Sequence, residues 1–383
     1  MEIKNLKKAA ERIIKAVTNK ENIILYGDAD LDGVASVIIL KEAIQNLGGQ
    51  APHIYFLDRE EEEYGLNKTA LDYLKQFSPA LLITLDCGVS NFEEVKLAKK
   101  LKLEVLVVDH HEVLKKLPAV KIIVNPKQKG DRSSFKQLAT AGIVFKLVQL
   151  ILKEKLTQSL KNSFLELAAL ATIADMMPEE EDNKTIVAEG LASLKETWRP
   201  GLQAFFDTEE LKKAASTKMI AQKIIAALNI ADAQEHLNAT YLVLTSPSLP
   251  EAQKMAENLF EKRRQKQETI KRITEEAEGR AMRRKSEPLV FEGDASWPRV
   301  LLGAVASRLF NKLQKPTFIF KKTAEVSKGS VRTPKDLNSV ELMEKCAKCL
   351  LTYGGHARAS GFTVKNENLE KFRSCLIEYL ENR

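Results

Sequence analysis

The side chains able to do chemistry fall in a few short stretches. "YGDADLDGVAS" (26–36) sets Asp28, Asp30 and Asp32 directly behind an apolar run. "LITLDCG" ends on Asp86, "LVVDHHE" groups Asp109 with His110 and His111, and Asp175 follows the apolar stretch "FLELAALATIA". In an extended segment Asp30 and Asp32 would point the same way, about 7 Å apart at Cα. Two like charges so close push one pKa up. A bound divalent cation removes that cost, because it becomes the largest charge in the site. Several aspartates with one histidine suit Mn²⁺ better than Zn²⁺, and oxygen-rich sites also admit Mg²⁺. Two such ions about 4 Å apart would hold a phosphate and activate water, the chemistry of phosphodiester or pyrophosphate hydrolysis. Any one of these acids alone is ordinary turn chemistry. Their recurrence at successive strand ends, with a histidine pair among them, points to metal.

The elements that must position them alternate. "NIILYGD", "LLITLDCG", "EVLVVDHH" and "KIIVNP" read as buried parallel strands, separated by stretches long enough for crossover helices. That is the pattern of an α/β fold, a doubly wound, mostly parallel sheet over residues 1–190. Ligands of such sheets lie beyond the carboxyl ends of the strands, where Asp28, Asp30, Asp32, Asp86, Asp109 and His110 all fall. Residues 191–287 read as helical, ending in one long polar connector from Leu249 to Arg284. In 288–383 β-runs resume at "PLVFEG", "PTFIFKK", "KGSVRT" and "GFTV", with helices at "RVLLGAVASRLFNKL" and "SVELMEKCAKCLLTYG". This predicts a second, smaller α/β domain.

At 383 residues with 44% hydrophobic content the chain has room for two or three cored domains. Its mean hydropathy is negative and no long uncharged apolar run suggests a membrane span. The amphipathic start, "MEIKNLKKAAERIIKAV", lacks a signal-peptide core, which implies the cytoplasm. Four cysteines are too few for a disulfide framework, and "CAKC" (346–349) reads as one exposed helix turn. The formal charge of +7 is concentrated in "EKRRQKQETIKRI" and "GRAMRRKSE". Such a run is either a solvated helix face or a basic stripe facing a polyanion.

Taken in order, these stretches resemble the DHH phosphoesterases, and within them the RecJ-like single-strand-specific 5′→3′ exonucleases. "GDADLDGVAS", "LDCGVSN", "VVDHHE" and "TIADMMP" are similar to the family's four motifs, with smaller echoes in "YGLN", "VNP", "LATAGIVF" and "RPGL". "GAVASRL", "KGSVRT" and "YGGHARASGF" resemble its C-terminal substrate-binding (DHHA1) domain. The resemblance implies two divalent ions, Mn²⁺ or Mg²⁺, held by Asp30, Asp32, Asp86, His110 and Asp175. Asp28 would be a ligand or a supporting acid, Asp86 the bridge between the ions, and Asp109 an orienting carboxylate. His111 would face the scissile phosphate and donate a hydrogen bond to it. Gly354 and Gly355 would let backbone amides approach a nucleotide phosphate, with His356 and Arg332 supplying charge. The plainer alternatives are a helix stop at the glycines and a surface role for Arg332. Arg263, Arg264 and Lys266 would lie on a connector lining the groove between domains and hold a strand's backbone.

The chain also departs from the family. Its usual Pro-Arg-Leu/Ile-Asn-Ala-x-Gly-Arg stretch falls near "AALNIADAQ" (226–234), where only Leu228 and Asn229 remain. A His-Pro-Gly stretch becomes "WPRV", with Trp297 and Arg299 replacing histidine and glycine. No C-terminal OB-fold is expected. The resemblance therefore implies an exonuclease on single-stranded DNA, with RNA as an additional substrate, releasing 5′-mononucleotides. A phosphodiesterase for short oligonucleotides or a cyclic dinucleotide is the alternative. A non-catalytic scaffold is the third reading, and the filled ligand positions argue against it.

Overall fold

The computed structural model describes residues 2–382 apart from 60, 61, 63, 114, 115, 213–215, 230–232 and 235, and apart from the side chains of Lys212, Ala233, Gln234 and His356. It divides into two compact units, Met1–Arg263 and Arg264–Arg383. The helix Leu249–Met282 runs through the boundary.

The first unit is built on a five-stranded parallel sheet of β1 (Asn22–Gly27), β2 (His53–Phe56), β3 (Ala80–Leu85), β4 (Leu103–Val108) and β5 (Ile122–Val124). Their order is β2-β1-β3-β4-β5. Successive side chains along a strand face opposite ways, so each strand feeds two cores. Ile23, Leu25, Leu81, Ile83, Leu106 and Val108 pack with the helices Leu6–Thr18, Leu31–Leu47 and Thr140–Leu152. Ile24, Tyr26, Leu82, Val105 and Val107 pack with Lys68–Leu74 and Phe92–Lys100. The doubly wound expectation holds, with one strand added: β2 is only four residues long and the apolar-run pattern passes over it. A further two-residue pair, β6 (Ala233–Gln234) and β7 (Leu237–Asn238), is antiparallel.

The "RPGL" echo has a structural explanation. Arg199 is buried, pairs with Glu42 at 2.8 and 2.9 Å, and donates to Ser163 Oγ and Leu244 O. It ties three helices together from inside the core.

The second unit carries a mixed sheet of β8 (Val290–Asp294), β9 (Thr317–Lys322), β10 (Val326–Arg332), β11 (Leu350–His356) and β12 (Ala359–Lys365), ordered β11-β12-β10-β9-β8. Trp297, one of the departures in sequence, is fully buried against Ile273, Ala277 and Leu302 in the core on one face. Two expectations are corrected here. The helix read through "CLLTYG" ends at Lys345, and Leu350–His356 is a strand, so the double glycine is not a helix stop. The cysteines are not all free: Cys346 is bonded to Cys375 across 29 residues of sequence. Helices Ser339–Lys345 and Leu369–Glu381 pack against each other and bring the two thiols together, which spacing alone does not reveal. Among the described residues no helix is long and apolar enough to cross a membrane.

Candidate metal centre

The sheet itself places three of the acids. Its backbone pairing runs one residue past the strand ends. Asp28 N donates to Leu85 O at 3.2 Å, Asp86 N to Val108 O at 3.0 Å, and Asp109 N to Val124 O at 3.0 Å. Asp28, Asp86 and Asp109 therefore stand side by side beyond β1, β3 and β4, and all three are buried. Asp86 adopts the left-handed conformation (φ 63°), which non-glycine residues enter only at a cost and which clusters at functional positions.

Asp30 and Asp32 are placed by helix ends rather than by a strand, a correction to the extended geometry expected above. Asp30 caps the helix Leu31–Leu47, its Oδ1 accepting from the amides of Asp32 and Gly33 at 3.1 Å each. Asp32, in the first turn, reaches the N-terminus of Thr140–Leu152 and accepts from the amides of Thr140 (2.7 Å) and Ala141 (2.8 Å). Thr140 Oγ1 donates to Asp86 Oδ1 at 2.9 Å. The loop is folded so tightly that a Cβ on Gly33 would lie 2.3 Å from Asp28 O. Only glycine fits.

Asp109 is a hub. Its Oδ1 accepts from the amides of His110 (2.7 Å) and His111 (3.0 Å) and lies 2.8 Å from His111 Nδ1, while Oδ2 accepts from Val89 N. With Nδ1 held, His111 presents Nε2 outward. His110 Nε2 lies 3.3 Å from Asp175 Oδ2, 3.5 Å from Asp86 Oδ1 and 3.9 Å from Asp32 Oδ2. Asp175 reaches the cluster as the residue closing the helix Gln158–Ala174. Replacing Asp109 by asparagine is expected to weaken Mn²⁺ binding about 10- to 100-fold, the usual cost of losing an orienting carboxylate. Calorimetric titration measures it. An NMR titration of His111 should also show its pKa falling, which a change confined to packing would not produce.

Two contributors are not among the site residues expected from sequence, although Tyr64 opens the "YGLN" echo. Arg59 follows β2 and grips Asp28 in two-pronged fashion, Nε to Oδ1 at 2.8 Å and Nη2 to Oδ2 at 2.6 Å, while Nη2 also reaches Asp30 Oδ2 at 2.9 Å. Tyr64, half exposed, holds its hydroxyl 3.3 Å from Asp86 O and 3.4 Å from His111 Nε2. The rule that found the acids, a polar side chain just past a strand, would have found Arg59 had β2 been recognised.

The electrostatics are those of a site short of positive charge. Burial, then neighbouring carboxylates, raise Asp86 well above the usual range. Burial with Asp175 and Asp30 raises Asp32 to about 8, and burial with Asp30 raises Asp175 to about 6. Burial lowers His110 to about 4, so its approaches to the acids are those of a neutral imidazole, a metal-ligand form rather than an ion pair. Burial opposes the charge on His111, but the hydrogen bond and charge of Asp109 prevail and raise it to about 9. Asp30 is lowered: burial pulls upward, but Arg59 and the Gly33 amide outweigh it.

This donor set fits divalent cations. Asp28, Asp30 and Asp86 form one group with ligand atoms within 4.8 Å of one another, Asp32, His110 and Asp175 a second, and Asp86, His110 and His111 a third. Buried Asp175 Oδ2 and His110 Nδ1 lack hydrogen-bond partners among the described residues, and unsatisfied buried oxygens beside an imidazole are what an ion would satisfy. Asp86 is common to two of the groups. Asp28, with both oxygens engaged by Arg59, is better placed to orient the loop than to bind an ion.

Comparisons with known proteins point to one family. The profile described as "DHH family, N-terminal domain" matches residues 22–172, and the "DHHA1 domain" profile matches 286–382. Residues 22–172 belong to the DHH family. It is 34% identical over its full length to the single-stranded-DNA-specific exonuclease RecJ of Bacillus subtilis, spanning 48% of that protein. It is 30% identical to the RecJ of Thermus thermophilus, covering 98% of this chain and 54% of the relative. The chain thus spans about half of each. A crystal structure of exonuclease RecJ bound to manganese superposes with TM-score 0.84 at 26% identity, covering 100% of this chain and 96% of that one.

Outside this DHH-family domain the remaining site expectations fall on two other places. Arg332 ends β10 and His356 ends β11, each paired with Ala359 of the strand between them, β12. Gly354 and Gly355 lie just before His356 on the exposed edge strand, and Gly355 has φ 134°. The side chain of His356 lies outside the described residues. Arg332 is held by Ser307 Oγ at 3.0 Å and Val331 O at 2.8 Å. Arg263, Arg264 and Lys266 lie within the helix Leu249–Met282. Of the stretch 226–234, Leu228 is buried core, and 230–232 lie outside the described residues.

Proposed function

We propose that this chain is a divalent-metal-dependent phosphodiesterase, a RecJ-like 5′→3′ exonuclease that removes 5′-mononucleotides from single-stranded DNA. The observation that carries the reading is the convergence of Asp30, Asp32, Asp86, His110 and Asp175 beyond the carboxyl ends of the strands, with Asp86 and His110 each shared between groups. Asp30, Asp32, Asp86, His110 and Asp175 would hold two Mn²⁺ or Mg²⁺ ions. When bound, such ions polarise the phosphoryl group and lower the pKa of water at the site. His111, kept protonated by Asp109, offers Nε2 as a donor to the phosphoryl oxygen that gains charge. Tyr64, at 3.4 Å, borders that same nitrogen and limits what enters beside it. In the C-terminal unit the amides of Gly354 and Gly355, with Arg332 and His356, would receive a nucleotide phosphate.

Product analysis with 5′- and 3′-labelled single strands, in Mn²⁺ and in Mg²⁺, tests the reading. Mononucleotides from the 5′ end are expected. A dinucleotide substrate run in parallel tests the second reading, a short-oligonucleotide phosphodiesterase, which the replaced arginines near 226–234 favour. Changing Arg263, Arg264 and Lys266 to alanine should weaken binding of a long strand. It should also flatten the dependence of log affinity on log salt by about 0.7 per lost phosphate contact, up to about 2. An unchanged slope would return these residues to a solvated helix face.

A further inference from the structure

We propose that the C-terminal unit carries a second anion site, a pocket at the β8 edge of its sheet that takes a phosphoryl group. Arg280, Arg283 and Arg284, from the second basic run of the sequence, line it together with Lys322 at the end of β9. The cavity is about 350 Å³ and is shared with buried Glu292 and exposed Glu370. That volume lies in the range of small-ligand sites. It stands at the edge of the sheet opposite β11, where Gly354 and Gly355 lie. It rests on neither the metal centre nor the activity proposed for it.

The pairing of charges leaves cations available. Arg280 is committed to Glu276 and to Asp294, the latter at 2.9 Å. Glu370 is neutralised by Arg373 at 3.1 Å. Glu292 forms only a long ion pair with Arg284, 3.9 Å from Nη1 and too far for a hydrogen bond, so among the described residues no side-chain hydrogen bond engages the Arg284 guanidinium. Neither Arg283 nor Lys322 forms an ion pair among the described residues, and both are exposed. Two guanidiniums and an ammonium around one hollow match the several oxygens of a phosphoryl group, which guanidinium recognises in two-pronged fashion. Phe291, Phe320 and Leu369 give the same cavity an apolar wall. The ligand is therefore a phosphoryl anion attached to an organic body, either a free nucleoside monophosphate or one residue of a single strand.

The site has a built-in reporter. The Arg280 guanidinium sits 5.3 Å from the ring centroid of Trp297, and the only other tryptophan, Trp198, is half exposed in the first unit. The full chain carrying Trp198→Phe, with chelator present, is titrated with deoxyadenosine monophosphate and separately with a 12-mer oligothymidylate. Binding is followed by Trp297 fluorescence and by calorimetry. Saturable binding is expected, weakened at least tenfold by the double change Arg283→Glu, Arg284→Glu, with an unchanged thermal midpoint. Loss confined to the monophosphate identifies a free nucleotide as ligand, and loss confined to the 12-mer identifies the strand. The milder pair Arg283→Ala, Arg284→Ala decides the matter if the charge reversal lowers the midpoint. If calorimetry shows no binding of either ligand, or if the alanine pair binds both as tightly as the parent, the site does not exist.

Discussion

Replacing Asp86 by alanine is expected to lower Mn²⁺-dependent hydrolysis at least about a thousandfold. Asp86 belongs to two of the three ligand groups, so its loss removes a donor from both at once. A metal's stabilisation of transition-state charge is worth several kcal/mol, and each 1.4 kcal/mol or so is tenfold in rate. Thr140 Oγ1 would lose its acceptor as well, but the polar space the carboxylate leaves can admit a water in its place, and the fold should survive. Burial, then neighbouring carboxylates, disfavour a charge on Asp86, so the metal-free chain gives up no favourable charge interaction when it is removed. The expected signature is therefore a variant with undiminished thermal stability in chelator, almost no turnover, and weakened Mn²⁺ uptake. Undiminished turnover would sink the assignment of Asp86 as the shared ligand.

The site was legible to the extent that its residues announce themselves locally. Aspartates just past apolar runs mark strand ends, and the parallel sheet then forces Asp28, Asp86 and Asp109 into one row. Asp32 was recognised by type, but its contact with the amides of Thr140 and Ala141 joins positions more than a hundred residues apart. No spacing rule reports such a contact. Arg59 was lost because β2, "HIYF", is too short to give a period. Tyr64 was quoted only as part of an echo, because its role depends on contacts with Asp86 and His111, 22 and 47 residues away, which is a tertiary matter.

The second unit shows the same limit. "CLLTYGG" is apolar and follows a helix, so local propensity carries the helix onward. Pairing with β12 overrides it, matching Gly354 to Gly361 and Gly355 to Ser360. The cysteine pair is likewise a product of helix packing against a shared sheet face. What sequence gives well is which residue types collect at a strand end. What it withholds is which distant amide, hydroxyl or guanidinium completes them.

The other large effect expected is on stability, and its sign follows from the protons the cluster holds. Asp32 is raised to about 8 and His111 to about 9 in the fold, against ordinary values of about 3.9 and 6.5. Between about pH 6.5 and 8 the unfolded chain has released both protons while the folded chain still binds them. The unfolded state then holds fewer protons, so the metal-free fold loses stability as pH rises. Asp32 alone contributes up to about 1.4 kcal/mol per pH unit. His110, lowered to about 4, acts in the opposite sense, and only below about pH 6.5, where its unfolded form charges. A divalent ion held by Asp32, as proposed, would replace its proton and remove the loss, adding about 4 kcal/mol at a thousandfold excess over its dissociation constant. Thermal midpoints measured in chelator should fall from pH 6.5 to 8, and the upward shift on adding Mn²⁺ should widen over the same interval. A shift of constant size across that range would mean that no ion displaces the Asp32 proton. The buried carboxylates would then be held by Arg59 and the helix amides alone.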